Sequence, residues 1–187
     1  MSLNRIESAL EEHGQAVASV LAMADALDDC VARMRSVFAS GGCLFVCGNG
    51  GSAADAQHFA AELTGRFERE RRGYPAVALT TDTSALTAIG NDFGFESIFS
   101  RQLHALGQPG DLLIAISTSG QSPNIVQAVE LARTQRIQTV GLLGRNGGHL
   151  AGMVDLALIV AAERTARIQE AHILILHLLC ELFEAPA

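Results

Sequence analysis

Apolar residues recur at three- and four-residue intervals from residue 8 to about residue 39, with no proline, a period that predicts one or two helices leading into the chain. The pattern then changes. CLFVC (43–47), AVALT (76–80), DLLIAIS (111–117), QTVGLL (138–143) and VDLALIV (154–160) are short, mostly apolar runs separated largely by helical or loop segments. Such runs are what parallel strands covered on both faces look like. Joined mainly by helical crossovers, they predict an α/β fold: a doubly wound five-stranded parallel sheet with flanking helices and an N-terminal helical segment. Ligands of such sheets bind at the carboxyl ends of the strands. Residues 165–183 read as a long closing helix. It contains the run ILILHLLCELF (173–183), which is apolar apart from His177 and Glu181.

Composition narrows the picture. A chain of 187 residues, half of them apolar, suits one domain over 1–187, with 1–40 as the helical segment and 41–187 as the core. The formal charge of −7 lacks the basic footprint of a phosphate-backbone binder, so nucleic acid is not an expected partner. An anionic substrate would have to be held by helix N-termini and a few arginines against an unfavourable overall field. Cys30, Cys43, Cys47 and Cys180 form no CxxC pair and read as small core hydrophobes in a reducing compartment. The segment MSLNRIESALEEHGQ has acidic residues and no apolar signal-peptide core, and no stretch reaches the roughly 18 apolar residues of a membrane span. The expectation is a soluble cytoplasmic protein without a membrane partner.

Two polar loops follow predicted strands. In GNGGSAADAQHF (48–59), Gly48, Gly50 and Gly51 allow close backbone approach and Ser52 is the expected N-cap of the next helix. Strand, glycine turn and helix start can cradle an anion, although the spacing is neither a Walker A loop nor GxGxxG; a tight turn with a capped helix is the alternative. In STSGQSPN (117–124), Ser117, Thr118, Ser119 and Ser122 offer four hydroxyls, with Pro123 placed as the first helical residue. Ser122 alone meets the capping need. The surplus hydroxyls point to a phosphate or sugar, and a small phosphorylated metabolite fits better than a nucleotide.

His58 and Glu62 stand at i and i+4 on one helix face just beyond the first loop. They could equally be a modest surface pair. On the closing helix Gln169, His172 and His177 can present polar groups to one place, and geometry alone does not choose between the two histidines. A lone histidine in such an apolar run is more often a hydrogen-bonded core residue.

The motifs CGNGGSAADAQHFAAELTGRF, LTAIGNDFGFESIFSRQ, GDLLIAISTSGQSPNIVQA and RIQEAHILILH closely resemble the bacterial phosphoheptose (sedoheptulose 7-phosphate) isomerases of the sugar isomerase (SIS) domain superfamily, from about residue 41 to 184. The resemblance implies a flavodoxin-like SIS fold. It implies conversion of sedoheptulose 7-phosphate to D-glycero-D-manno-heptose 7-phosphate, the first step of nucleotide-activated heptose biosynthesis. By the same resemblance Ser117, Thr118, Ser119 and Ser122 grip the phosphate. Asn49, Gly50, Gly51, Ser52, Asn91 and Asp92 contact substrate, and Arg66 helps to hold it or is simply a surface arginine. His58, Glu62, Gln169 and His177 form a zinc set, one ion per subunit, with Glu62 and His177 catalytic and Gln169 also touching substrate. His172 is then left to packing, and His13, His104 and His149 match no site motif. A homotetramer with sites between subunits is implied as well. The alternative is a non-catalytic SIS-domain protein of the type that binds the DnaA replication initiator. That type lacks the catalytic glutamate and the final-helix histidine, whereas this chain has Glu62 and His177.

Overall fold

The computed structural model describes residues 2–185. Helices α1 (Ser2–Ala18) and α2 (Ala24–Ala39) are joined by a 3-10 turn over Ser19–Met23. Helicity thus begins at Ser2 rather than at residue 8. The added turns carry Leu3, Ile6 and Leu10 as an exposed apolar stripe at helical spacing. Strands β1 (Leu44–Gly48), β2 (Ala76–Ala78), β3 (Leu112–Ser117), β4 (Gln138–Gly144) and β5 (Leu156–Val160) form one parallel sheet in the order β2-β1-β3-β4-β5. Helices α3 (Gly51–Thr64), α4 (Thr83–Phe93), α5 (Ile98–Leu106), α6 (Pro123–Thr134) and α7 (Thr165–Glu184) complete the fold.

Alternation along the strands divides the core between the two faces. Leu44, Val46, Leu112, Ile114 and Ile116 pack toward α2, α3 and α7, whereas Phe45, Cys47, Leu113 and Ala115 pack toward α5 and α6. Edge strand β2 stops short of the predicted Thr80. There the chain turns: the Thr81 hydroxyl donates to the Ala78 carbonyl and Asp82 caps α4, accepting from the Ala85 amide. The order 2-1-3-4-5 reverses direction between β1 and β3, and in open α/β sheets the crevice at that reversal is where ligands bind. Gly48 is in register with Ile116 across this junction, so both polar loops leave the sheet side by side.

Cys30, Cys47 and Cys180 are buried and unbridged, and burial pushes their thiols up to about 12, which makes them inert packing residues. Among the described residues no helix is long and apolar enough to cross a membrane.

His172 belongs to this core. It is fully buried, and its Nε2 donates to the Leu143 carbonyl at 3.0 Å. The expectation that Gln169, His172 and His177 present polar groups to one place fails here: His172 and His177 are five residues apart, a rotation of about 140° at 100° per residue, so they do not share a helix face. One faces the end of β4 and the other faces α3. Burial lowers the His172 pKa to about 4, partly offset by the Leu143 bond. The folded state therefore binds less proton than the unfolded chain between the ordinary histidine value and pH 4. The stability this provides is present above pH 6.5 and is lost as pH falls toward 4, by roughly 3 kcal/mol. Urea unfolding at pH 7 and pH 4 should show that extra loss in wild type and not in His172→Leu. An identical pH dependence in the two proteins would contradict it.

Candidate active site

The loop after β1 turns at Gly50, whose φ of 57° favours glycine, and delivers the chain into α3. Ser52 is not the N-cap. That position is Gly50, without a side-chain bond, while Ser52 lies inside the first turn, 3% exposed, with its amide bonded to the Asn49 carbonyl. This arrangement requires glycine at position 48, because a Cβ there would meet the Ser52 backbone.

The loop after β3 is organised by its own hydroxyls. Ser117 Oγ accepts from the Gly120 amide at 3.1 Å and lies 3.2 Å from Ser122 Oγ, while Ser119 Oγ accepts from the Gln121 amide. Ser122 occupies the N-cap position of α6 but makes no side-chain cap bond, since its hydroxyl turns to Ser117; Pro123 begins the helix as expected. Each hydroxyl carries one donor proton and two acceptor lone pairs, so a serine that accepts from an amide can still donate to an anion. Gly120 has φ 63° and packs directly against Gly147 in the turn after β4, leaving no room for a side chain.

Asn49 and Asn124 tie the two loops together through reciprocal amide bonds, both 2.8 Å. The Asn49 side chain is therefore engaged with α6. Beside this pair, a cavity of about 180 Å³ opens at the ends of β1 and β2, lined by Gly48, Asn49, Gly50, Thr80, Phe95 and Phe99. Larger clefts lie beside Glu12, Arg164 and Arg167, and beside Arg33, Arg133 and Arg136, but neither is at the carboxyl end of β1 or β3. Asn91 and Asp92 are exposed on α4 and bonded to each other at 2.8 Å, and Arg66 is exposed, its guanidinium reaching only the Glu68 carbonyl.

Helices α3 and α7 run side by side in the same direction. At one end the Gln169 amide packs so closely on Gly51 that a Cβ there would collide with it. About 10 Å further along α3, His58 Nε2 lies 2.9 Å from His177 Nε2 and 3.4 Å from Glu62 Oε1. The structure thus brings together three of the four expected metal ligands and places Gln169 at the other end of the seam. Phe67 flanks the group, its ring centroid 5.7 Å from that of His177.

Two imidazole nitrogens facing each other at 2.9 Å share one proton, and two nitrogens and a carboxylate are a zinc-type donor set. Among the described residues no three His, Cys, Asp or Glu side chains are spaced to hold a metal ion as they stand. For the two histidines the shortfall is small, while Glu62 is paired with His58 and, among the described residues, makes no ion pair with His177. Nitrogens bound tetrahedrally at 2.0–2.1 Å lie about 3.3 Å apart, so the two rings must separate by roughly 0.4 Å to fit zinc.

Asp55, one turn before His58 on α3, escaped the sequence reading. Its Oδ2 is buried without a partner, and burial pushes its carboxyl above the usual carboxylate range, opposed by His58. The only sequence signal for it is its i−3 and i−7 spacing from His58 and Glu62.

A family model described as SIS domain matches residues 11–144. The phosphoheptose isomerase of Helicobacter hepaticus is 49% identical over 96% of this chain and 92% of its own, and that of Geotalea daltonii is 50% identical over 97% and 95%. The solved phosphoheptose isomerase of Neisseria gonorrhoeae superposes with a TM-score of 0.93 at 44% identity, covering 98% of this chain and 99% of that one. With the loops, the switch point and the His58–Glu62–His177 cluster all in that framework, the chain belongs to the phosphoheptose isomerase family of SIS domain proteins.

Proposed function

We propose that this chain converts sedoheptulose 7-phosphate to D-glycero-D-manno-heptose 7-phosphate. The observation that carries the proposal is the meeting of His58, Glu62 and His177 about 10 Å of helix rise beyond the loop that follows β1, which Asn49 and Asn124 tie to the loop after β3. That span is comparable to the length of a seven-carbon sugar phosphate, so the loops can hold the phosphate while the carbonyl end reaches the cluster.

In this mechanism Ser117, Thr118, Ser119 and Ser122 donate to the phosphate oxygens, assisted by the N-terminus of α6. Glu62 removes a proton from C1. The C1–H electron pair becomes the C1–C2 double bond of the enediol, and O2 takes a proton from His177. Glu62 then returns its proton to C2 as His177 removes the proton from O1, leaving the C1 aldehyde. Each positioned transfer contributes about 10² to 10⁴ in rate. His58, Glu62 and His177 would hold one zinc ion per subunit, which when bound supplies Lewis-acid polarisation of the substrate oxygens, while Gln169, packed on Gly51 at the other end of the seam, stands outside that set. Glu62 has to act through an oxygen not committed to the metal, because a tightly bound carboxylate is a poorer base.

The proposal extends to a cytoplasmic homotetramer with sites between subunits. It is supported by exposed Leu3, Ile6, Leu10, Leu21, Phe93 and Phe95, and by α4, which buries no residue within the chain.

Incubation with sedoheptulose 7-phosphate in deuterated water should give the aldose phosphate with deuterium at C2, because the proton held by Glu62 exchanges with solvent at least part of the time before it is returned. Glu62→Gln should retain sugar-phosphate binding while turnover falls by about two orders of magnitude or more. An inactive wild type that still binds the sugar phosphate would instead favour a silent binding protein. For the metal, native protein prepared without a tag should carry about one zinc per subunit, and His58→Ala and His177→Ala should each weaken binding strongly, as a tetrahedral site losing an imidazole must. Absence of zinc under zinc-replete conditions removes the metal from the scheme and leaves the isomerase intact. Light scattering at micromolar concentration should return a tetramer's mass; a monomer's mass would refute the assembly.

A further inference from the structure

The segment after α3, RFERERRGY (66–74), is mostly charged, yet the side chain of one of its arginines, Arg71, is largely buried. Arg71 and Glu184 form an ion pair at 2.7 Å, with side chains only 13% and 5% exposed. The other bonds of the Arg71 guanidinium are to carbonyls. Nη2 donates to Glu62, Nη1 donates to Leu63, Gly65 and Arg72, and the group lies over the Tyr74 ring. The arginine thus caps the C-terminal turn of α3, the turn that carries Glu62. Glu184 accepts from the amides of Phe67, Glu68 and Arg69 as well as from Arg71 Nε. It is the last residue of α7, two turns beyond His177. Burial works to raise its pKa but is outweighed by these amides and the guanidinium, which hold its carboxyl below the usual range.

We propose that Arg71 and Glu184 are a positioning pair for the isomerisation: they pin the C-terminal ends of α3 and α7 together and thereby set the spacing of Glu62 and His177. The inference rests on the proposed function, in which those two residues move the protons. Gln169 on Gly51 closes one end of the helix pair and the ion pair closes the other, with the histidines between. The same carboxylate holds the Phe67 amide, and the Phe67 ring packs beside His177. Reacting groups need placement to a fraction of an ångström, since a shift of about 1 Å can cost roughly 10²-fold in rate. The phosphate loop after β3 makes no bond to either member of the pair, so substrate holding is separable from proton transfer.

The test compares Glu184→Gln, which keeps the shape and an acceptor oxygen, with Arg71→Lys, which keeps the charge but loses the fork, and with the double variant. Each single variant should lower kcat about tenfold while KM for the sugar phosphate stays within about twofold, and the double should be no worse than the poorer single, because the two side chains act as one unit. In parallel, histidine NMR of the folded variants should show shifted His58 and His177 ring signals, with those of His104 and His149 unmoved. Single variants with wild-type kcat and unmoved His58 and His177 signals would overturn the proposal, as would KM rising in step with the loss of kcat. An inactive wild type would refute the isomerase reading itself; the ring signals would then still decide whether the pair positions His177.

Discussion

Two helices that are far apart in sequence must lie close and parallel on one face of the sheet before this site can exist. Helix α3 follows β1 directly, and α7 follows β5 at the opposite side of the sheet order. Their approach is permitted at Gly51, where the absence of a Cβ lets the Gln169 amide sit on the backbone. Further along, buried Ile168, Ala171, Ile175, Leu176 and Leu179 hold α7 in the core and leave His177 facing α3. The close contact of His58 with His177 is a consequence of that packing. Neither helix alone assembles the group.

The second constraint is the reversal of strand order between β1 and β3. It puts two helix N-termini and two polar loops at one end of the sheet, where backbone amides and hydroxyls can compensate an anion in a chain of net charge −7. The reciprocal Asn49–Asn124 bonds hold those loops in a fixed relation. Binding and proton transfer are then spatially divided, with the phosphate end served by the loops and the carbonyl end by the helix pair. The two histidines of α7 show how environment assigns roles: His172, buried against the Leu143 carbonyl, is kept neutral and structural, whereas His177 is half-buried and faces another imidazole.

Short-range patterning determined a good deal of this protein. The apolar runs predicted all five strands to within a few residues. The i, i+4 spacing put His58 and Glu62 on one face, and the order of the motifs identified the family. Those features depend on residues a few positions apart, where period and turn chemistry are set locally. Ser52 is not the cap that its place beside a glycine turn suggests, and Ser122 holds the cap position of α6 without the cap bond, because a serine there has competing partners. One was drawn beneath the loop, and the other was turned toward Ser117 by a neighbouring segment.

Tertiary structure alone decided which helix faces meet. A rotation of about 140° between His172 and His177 says that they point differently, but only the positions of β4 and α3 say which of them is buried. The same holds for Gln169, which shares a helix with His177 yet lies at the far end of the seam, and for Asp55, whose burial depends on what packs over α3. Arg71 and Glu184 are the extreme case. In sequence they are one charge among many and the end of a helix, 113 residues apart, and their partnership arises only when α3 and α7 converge. Charged groups look alike in sequence because exposure is their default, and burial, which gives them a structural role, is a property of the assembled core.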